Sequence, residues 1–395
     1  MWKLLLLCGM ISAAPHENIN YKSLNEFSLR LLDNTYAFNE NFGKSNFAIS
    51  PLSLWSIFAL LAEGSSGQTC LELIKELQLP TELRATQALH LAAKKILKTQ
   101  YNDIILKGQS AMFADCTLDI HAEFCSAALA YDTGIYSVDA SNTTLLANDI
   151  NYYICVATEG QILNAVREEN LNNLRMVLID ALYFKANWTH PFDPTHTREE
   201  AFYNYQGKPI GTVNMMHHKA PHNLRDALHI DAQILELNYG TSEEFSMLVL
   251  LPIEGVPIKQ LLNSLAYCPL DWLTNFRDED NNVRIDVYLP RIKLSSQTDL
   301  ITPLQYTGIQ TIFDSKRAEL PGVSDSPLYV SSTVQSISLE VTEEGTVATA
   351  ATVVGLEDRV LGQRFEANKE FVFLITERRT NLILFAGVYQ DPFAV

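Results

Sequence analysis

The chain has 395 residues, 47% hydrophobic, 19% charged and 10% aromatic, which excludes intrinsic disorder, collagen-like repetition and a small disulfide scaffold. Against 46 Asp and Glu stand only 29 Lys and Arg, and a formal charge of −17 repels phosphate backbones, so no nucleic-acid partner is expected. No linker breaks the length into separate units.

The first residues read as an export address. Met1-Trp2-Lys3 supplies a positive charge, Leu4 to Ile11 an apolar run, and Ser12-Ala13-Ala14 the small residues of a cleavage site. The expectation is a signal peptide over 1–13, removed after Ala13, and a secreted, extracellular chain over 14–395. No other segment reaches the roughly 18 apolar residues of a membrane span, so no membrane partner is expected.

Apolar spacing predicts a helix from Ser23 to Phe38. At Asn46 to Leu54 a short strand should give way to a helix, with Ser50 capping its amides and Pro51 at its first position. That helix has no polar face, which places it in the core. Gly64-Ser65-Ser66-Gly67 is a turn, not a nucleophile elbow, because it follows a helix. Further helices are read at Thr69 to Leu77, Arg84 to Leu97, Ala122 to Tyr131 and Asp149 to Ala157.

Met176 to Phe184 is nearly unbroken in apolar residues, as in a strand buried on both faces, and its single acid, Asp180, needs a partner. More strand-like runs follow at Ile234 to Leu237, Phe245 to Leu251, Val283 to Leu289, Val330 to Val341, Phe371 to Thr376 and Leu382 to Tyr389. Short helices are read near Ile258 to Leu265 and Asp299 to Gln305. A helix-rich first half and a strand-rich second half, without a boundary, give one α+β domain.

Other chemistries find little support. The mature cysteines Cys70, Cys116, Cys125, Cys155 and Cys268 are odd in number and lack metal-ligand spacing, so they read as buried thiols. His217, His218 and His222 read as solvated loop residues, not a metal site. Asn142 and Asn187 head glycosylation sequons.

One segment is peculiar. After Glu343-Glu344-Gly345, the stretch Thr346-Val347-Ala348-Thr349-Ala350-Ala351-Thr352 holds only small or β-branched uncharged residues. At a period of two, neither face carries a charge, so it could enter a sheet without burying an unpaired ion.

From about Ser23 to Pro392 the chain resembles the serpins, through an ordered series of motifs. They are Asn46 to Leu54 with Gly67 and Thr69, Thr158 to Ile162, Phe184-Lys185 with Trp188, Leu289 to Lys293, the hinge at Glu343 to Thr352, Phe365 to Phe373, and Leu384 to Gly387. The resemblance implies three β-sheets, eight or nine helices and an exposed reactive-centre loop at about 343–364. It implies that a protease cuts this loop, whose hinge then inserts into the main sheet. It also implies a scissile bond fourteen residues after hinge glycine Gly345, at Arg359-Val360, with Arg364 the weaker candidate. Arginine there suits a trypsin-like pocket with a buried carboxylate.

Several positions depart from the family pattern. Val347 replaces an acid, Glu370 a small residue or proline, and Val388 an arginine. Where the family sets a histidine opposite an asparagine to control sheet opening, this chain has Gln335 and Asp180, with Ser50 and Ser53 matching beside them. The Gln amide can donate to the carboxylate. Lys94, Lys95 and Lys98 fall on the helix that binds glycosaminoglycan in some serpins, but in so acidic a chain they read as a solvated face.

Two functions follow. The first is a monomeric, secreted suicide-substrate inhibitor of a trypsin-like serine protease, with no cofactor, no metal and no catalytic residue of its own. The alternative is a non-inhibitory serpin acting as a carrier, a storage protein or a simple protease substrate. The uncharged hinge favours inhibition.

Overall fold

The computed structural model describes residues 21–43, 46–80, 82–98, 103–277, 282–343 and 363–393. The signal segment, the hinge residues Glu344 to Thr352, and Arg359 and Val360 lie outside them. The first half runs α1 (Lys22–Asn41), β1 (Phe47–Ile49), α2 (Pro51–Glu63), α3 (Gly67–Glu76), α4 (Leu83–Lys98), β2 (Ile104–Asp115), α5 (Ala122–Ala130), β3 (Thr133–Val138), α6 (Thr143–Ala157) and β4 (Met176–Ala186). Then come β5 (Arg198–Tyr203), β6 (Pro209–Ala227), β7 (Ala232–Tyr239), β8 (Phe245–Pro252), α7 (Ile258–Leu265), α8 (Leu270–Thr274) and β9 (Asn282–Pro290). The chain ends with β10 (Ile292–Asp299), α9 (Ile301–Thr307), β11 (Val330–Val341), β12 (Gln363–Glu366), β13 (Phe371–Glu377) and β14 (Leu382–Tyr389). The α+β class holds, with nine α-helices among the described residues.

The strands form a five-stranded sheet, ordered β10-β11-β4-β2-β3, and a nine-stranded one, ordered β1-β14-β13-β8-β7-β6-β9-β12 with β5 beside β6. Three sheets were expected; among the described residues there are two, the second continuous because β6 pairs with β5, β9 and β7 in turn.

The apolar run in β4 has its reason in two cores. Met176, Leu178, Leu182 and Phe184 face a large cluster shared with α1, α2 and the nine-stranded sheet. Val177, Ile179 and Ala181 face a second cluster with Leu146, Ile150 and Ile154 of α6. α2 is buried along its length, with Trp55 and Phe58 fully inaccessible; such side chains each contribute about 1.5–3 kcal/mol by leaving water. Gly67 has φ +52°, and a Cβ there would collide with the Glu319 carboxylate, whose Oε2 accepts the Gln68 amide at 2.8 Å.

The structure corrects three expectations. α6 begins at Thr143, not near Asp149, because Asn142 caps it by accepting the Leu145 amide at 3.0 Å. Ser50 occupies the N-cap of α2, but its side chain makes no cap bond. His217, His218 and His222 lie in β6, not in a solvated loop, and strand alternation turns His218 and His222 inward, 8% and 7% exposed.

Candidate functional site

The centre of the five-stranded sheet is a parallel pair. β11 runs beside β4 from Val330 to Glu340, and the register sets Gln335 directly opposite Asp180. Both are buried, as are Ser50 and Ser53 at the start of α2. The Gln335 amide binds the backbone of Ser50 itself: its Oε1 accepts the Ser50 amide at 2.7 Å, and its Nε2 donates to the Ser50 carbonyl at 3.0 Å. Nε2 also donates to Asp180 Oδ2 at 2.6 Å. Ser53 donates to the same carboxylate, and Ser110 of β2 donates to Oδ1 at 2.7 Å. Burial pushes the Asp180 carboxyl above its ordinary range, and the bonds from Ser53, Gln335 and Ser110 oppose that rise. One amide thus ties β11 to β4 and both to α2, while Ser110, which sequence reasoning misses, adds β2.

A second cluster holds the end of β11. Trp188 stacks on Tyr239 with centroids 4.4 Å apart, and its Nε1 donates to the Thr342 carbonyl at 2.9 Å. Glu343, the first residue of the hinge and the one hinge residue among those described, is 3% exposed and paired with Arg291, both carboxylate oxygens lying 2.6 Å from Nε. Thr197 donates to the same carboxylate. Burial raises the Glu343 carboxyl, but the bonds from Arg291 and Thr197 outweigh it and hold it below its usual range. The sequence marks Arg291 only as one member of a motif and gives no sign of Thr197, since neither is near Glu343 along the chain.

The segment from Trp188 to Thr197 that supplies two of these contacts is itself pinned by histidines. His218 Nδ1 lies 3.3 Å from the Pro191 carbonyl, Phe192 stacks on its ring at 3.9 Å, and His222 Nε2 lies 2.9 Å from His218 Nε2. That chain of contacts needs neutral rings. Burial lowers His218 to about 4; burial and then the neighbouring His218 lower His222 to about 3. The unfolded chain therefore binds protons more readily, and stability is lost as pH falls from 6.5, on the order of 3 kcal/mol for His218 alone. Urea midpoints should drop between pH 6.5 and 4.5, and drop less in a His218→Phe/His222→Phe variant; equal drops would place the effect elsewhere.

The remaining residues singled out from the sequence divide. Arg364 is part of β12, where it lies 4.4 Å over the Tyr288 ring and 3.1 Å from Glu366, so strand structure begins at Gln363, inside the expected loop bounds. Glu370 accepts the Tyr205 amide at 2.8 Å, and Val388 is fully buried between β1 and β13, where an arginine would be unpaired. Lys94 lies 3.5 Å from Asp132, and Lys95 is exposed. Asn142 is exposed; Asn187 is half-buried, and its sequon hydroxyl on Thr189 donates to the Gly240 carbonyl at 2.6 Å. The five described cysteines are unpaired, and only Cys268 is buried while Cys116 is exposed, so the expectation of buried thiols holds for one of them. Among the described residues no group of acids, histidines and cysteines is arranged to hold a metal.

Fold and site together define a large α+β protein whose five-stranded sheet is bridged at its centre by one amide–carboxylate pair, with Glu343 held by Arg291 and Thr197 beyond the end of β11. The serpin (serine protease inhibitor) family model matches residues 22–392, and the chain belongs to that family. It is 31% identical to human (Homo sapiens) Serpin B9 over 362 residues, covering 88% of this chain and 93% of the relative. Identity to the horse (Equus caballus) leukocyte elastase inhibitor is 30% over 374 residues, 90% and 96% of the two chains. The solved structure of Serpin48 from Tenebrio molitor aligns with a TM-score of 0.79 at 27% identity, covering 95% and 98%.

Proposed function

We propose that this chain is a secreted suicide-substrate inhibitor of a trypsin-like serine protease. The protease serine attacks the Arg359 carbonyl, the Arg359-Val360 bond breaks to give an acyl-enzyme, and the freed hinge enters between β4 and β11. The observation that carries the reading is the segment after Glu343: Thr346 to Thr352 holds no charge and no large side chain, as a strand entering a two-faced core requires. Membership of a family of serine protease inhibitors supports the reaction class, and Arg359 supports the trypsin-like target. Glu357 and Asp358 before it narrow the choice of protease by repelling acidic subsites. Export through residues 1–13, glycosylation at Asn142 and Asn187, and a monomeric state belong to the same proposal; glycosaminoglycan has no part in it.

The test is incubation of the mature protein with a panel of trypsin-like proteases. A denaturant-resistant adduct is expected, with a C-terminal fragment beginning at Val360. Clean cleavage without adduct would favour a protease substrate instead.

A further inference from the structure

A polar recess of about 920 Å³, a volume ordinary for a small-molecule site, opens beside β10, the outer strand of the five-stranded sheet. β10 and the middle of β11 form one wall, the segment 161–167 between α6 and β4 a second, and the end of α1 with Asn46 and Phe47 a third. Asn39, Asn46, Gln161, Asn164 and Gln297 bring carboxamides to it, beside serine and threonine hydroxyls of β10 and β11. The charged lining residues are Arg167, which lies 3.5 Å from Glu169, and Asp391, so the lining carries no net charge. Leu163, 63% exposed, and Ile162 supply an apolar surface.

Much of this polar wall is fixed to the backbone. Ser336 donates to the Ala165 carbonyl at 3.0 Å and Ser296 to the Ala48 carbonyl at 3.0 Å. Asn46 Oδ1 accepts the Gln390 and Asp391 amides at 2.8 and 3.0 Å. Asn39 differs. It is 1% exposed, and among the described residues neither its Oδ1 nor its Nδ2 has a hydrogen-bond partner. Folding takes both atoms out of water and gives them nothing in return, a cost that an apolar side chain of the same shape would avoid. A ligand that brings a donor and an acceptor side by side recovers it.

We propose that this recess is a binding site for a neutral hexose, whose adjacent hydroxyls pair with the Asn39 carboxamide and whose C–H face packs on the apolar wall. Each hydroxyl both donates and accepts, so a vicinal diol can satisfy Oδ1 and Nδ2 together, which a carboxylate, an ammonium group or a hydrocarbon cannot. Walls without net charge also give an ionic ligand little to offset its loss of water. The site stands independently of the reactive loop and of any protease target.

The probes are glucose, galactose and mannose, with glucosamine and glucuronate as charged counterparts of the same ring size. Concentrated sugars stabilise any folded protein by exclusion from its surface, so the readout is saturable binding at millimolar concentration, followed by saturation-transfer NMR on the full mature protein at pH 6.5. At least one of the three hexoses should bind, at least tenfold tighter than either charged counterpart. Asn39→Leu should weaken that binding at least tenfold and raise the melting temperature of the free protein, because the orphaned amide is gone. Ser295→Trp, an exposed position on the β10 wall that tests the recess should Asn39→Leu fail to fold, should also weaken binding at least tenfold. No saturable binding of any hexose, equal binding of the charged counterparts, or binding indifferent to both substitutions would overturn the proposal.

Discussion

Thr346→Arg is expected to abolish stoichiometric inhibition while cleavage at Arg359-Val360 continues. A fully inserted hinge of about 14 residues gains roughly 7–20 kcal/mol, taking each new pairing at a net ~0.5–1.5 kcal/mol. Yet that total is not what Thr346 meets. It stands next to the start of the segment, so when it enters only one or two pairings, about 1–3 kcal/mol, have formed. The segment enters from the Glu343 end of β11, where β4 passes from half-buried Ala186 and Lys185 into nine successive buried positions, so its side chains move into a sheet with no solvent-facing side. Burying an unpaired guanidinium there costs several kcal/mol, more than the first pairings supply. Insertion should stall and the acyl-enzyme hydrolyse. The check is the ratio of adduct to cleaved protein on denaturing gels, together with the melting temperature of the cleaved form, which should rise in the parent and stay put in the variant. Retained stoichiometric inhibition would refute the insertion account.

Gln335→Leu should open the sheet more readily. The substitution strips the Ser50 amide of its acceptor and takes one of three donors from Asp180, each loss worth about 1–3 kcal/mol. Leucine fills most of the space, so packing changes little and the cost falls on the polar groups. A melting temperature lower by several degrees and earlier heat-induced self-association on native gels are expected. Asp180→Asn, which keeps an acceptor for Gln335, should do less. Unchanged self-association of Gln335→Leu would remove the clamp from the account.

The sequence is informative where the chain is buried evenly and silent where it is not. α2 and β4 are legible because both are apolar on every side, a signal no other surroundings produce. β2 is not, because Lys107, Gly108, Gln109 and Ser110 interrupt its apolar pattern, and β6 is hidden because Pro221 and three histidines mask its alternation. Of the clamp, the Gln335–Asp180 contact follows from the resemblance and from donor–acceptor chemistry; a lone acid in an apolar strand would announce only that some partner exists. Ser110, Thr197 and Arg291 take their places through strand register and loop packing, which leave no local trace in the chain.

β12 has a consequence for how a cut molecule behaves. It runs parallel to β9, and β13 and β14 after it are fully buried between β8 and β1. The strands β12, β13 and β14, on the far side of the proposed scissile bond, are therefore woven into the body of the protein. Nicking the loop should leave the particle's native mass and elution volume unaltered, with the short piece parting only when the whole structure is denatured. Size-based purification would not separate spent molecules from intact ones.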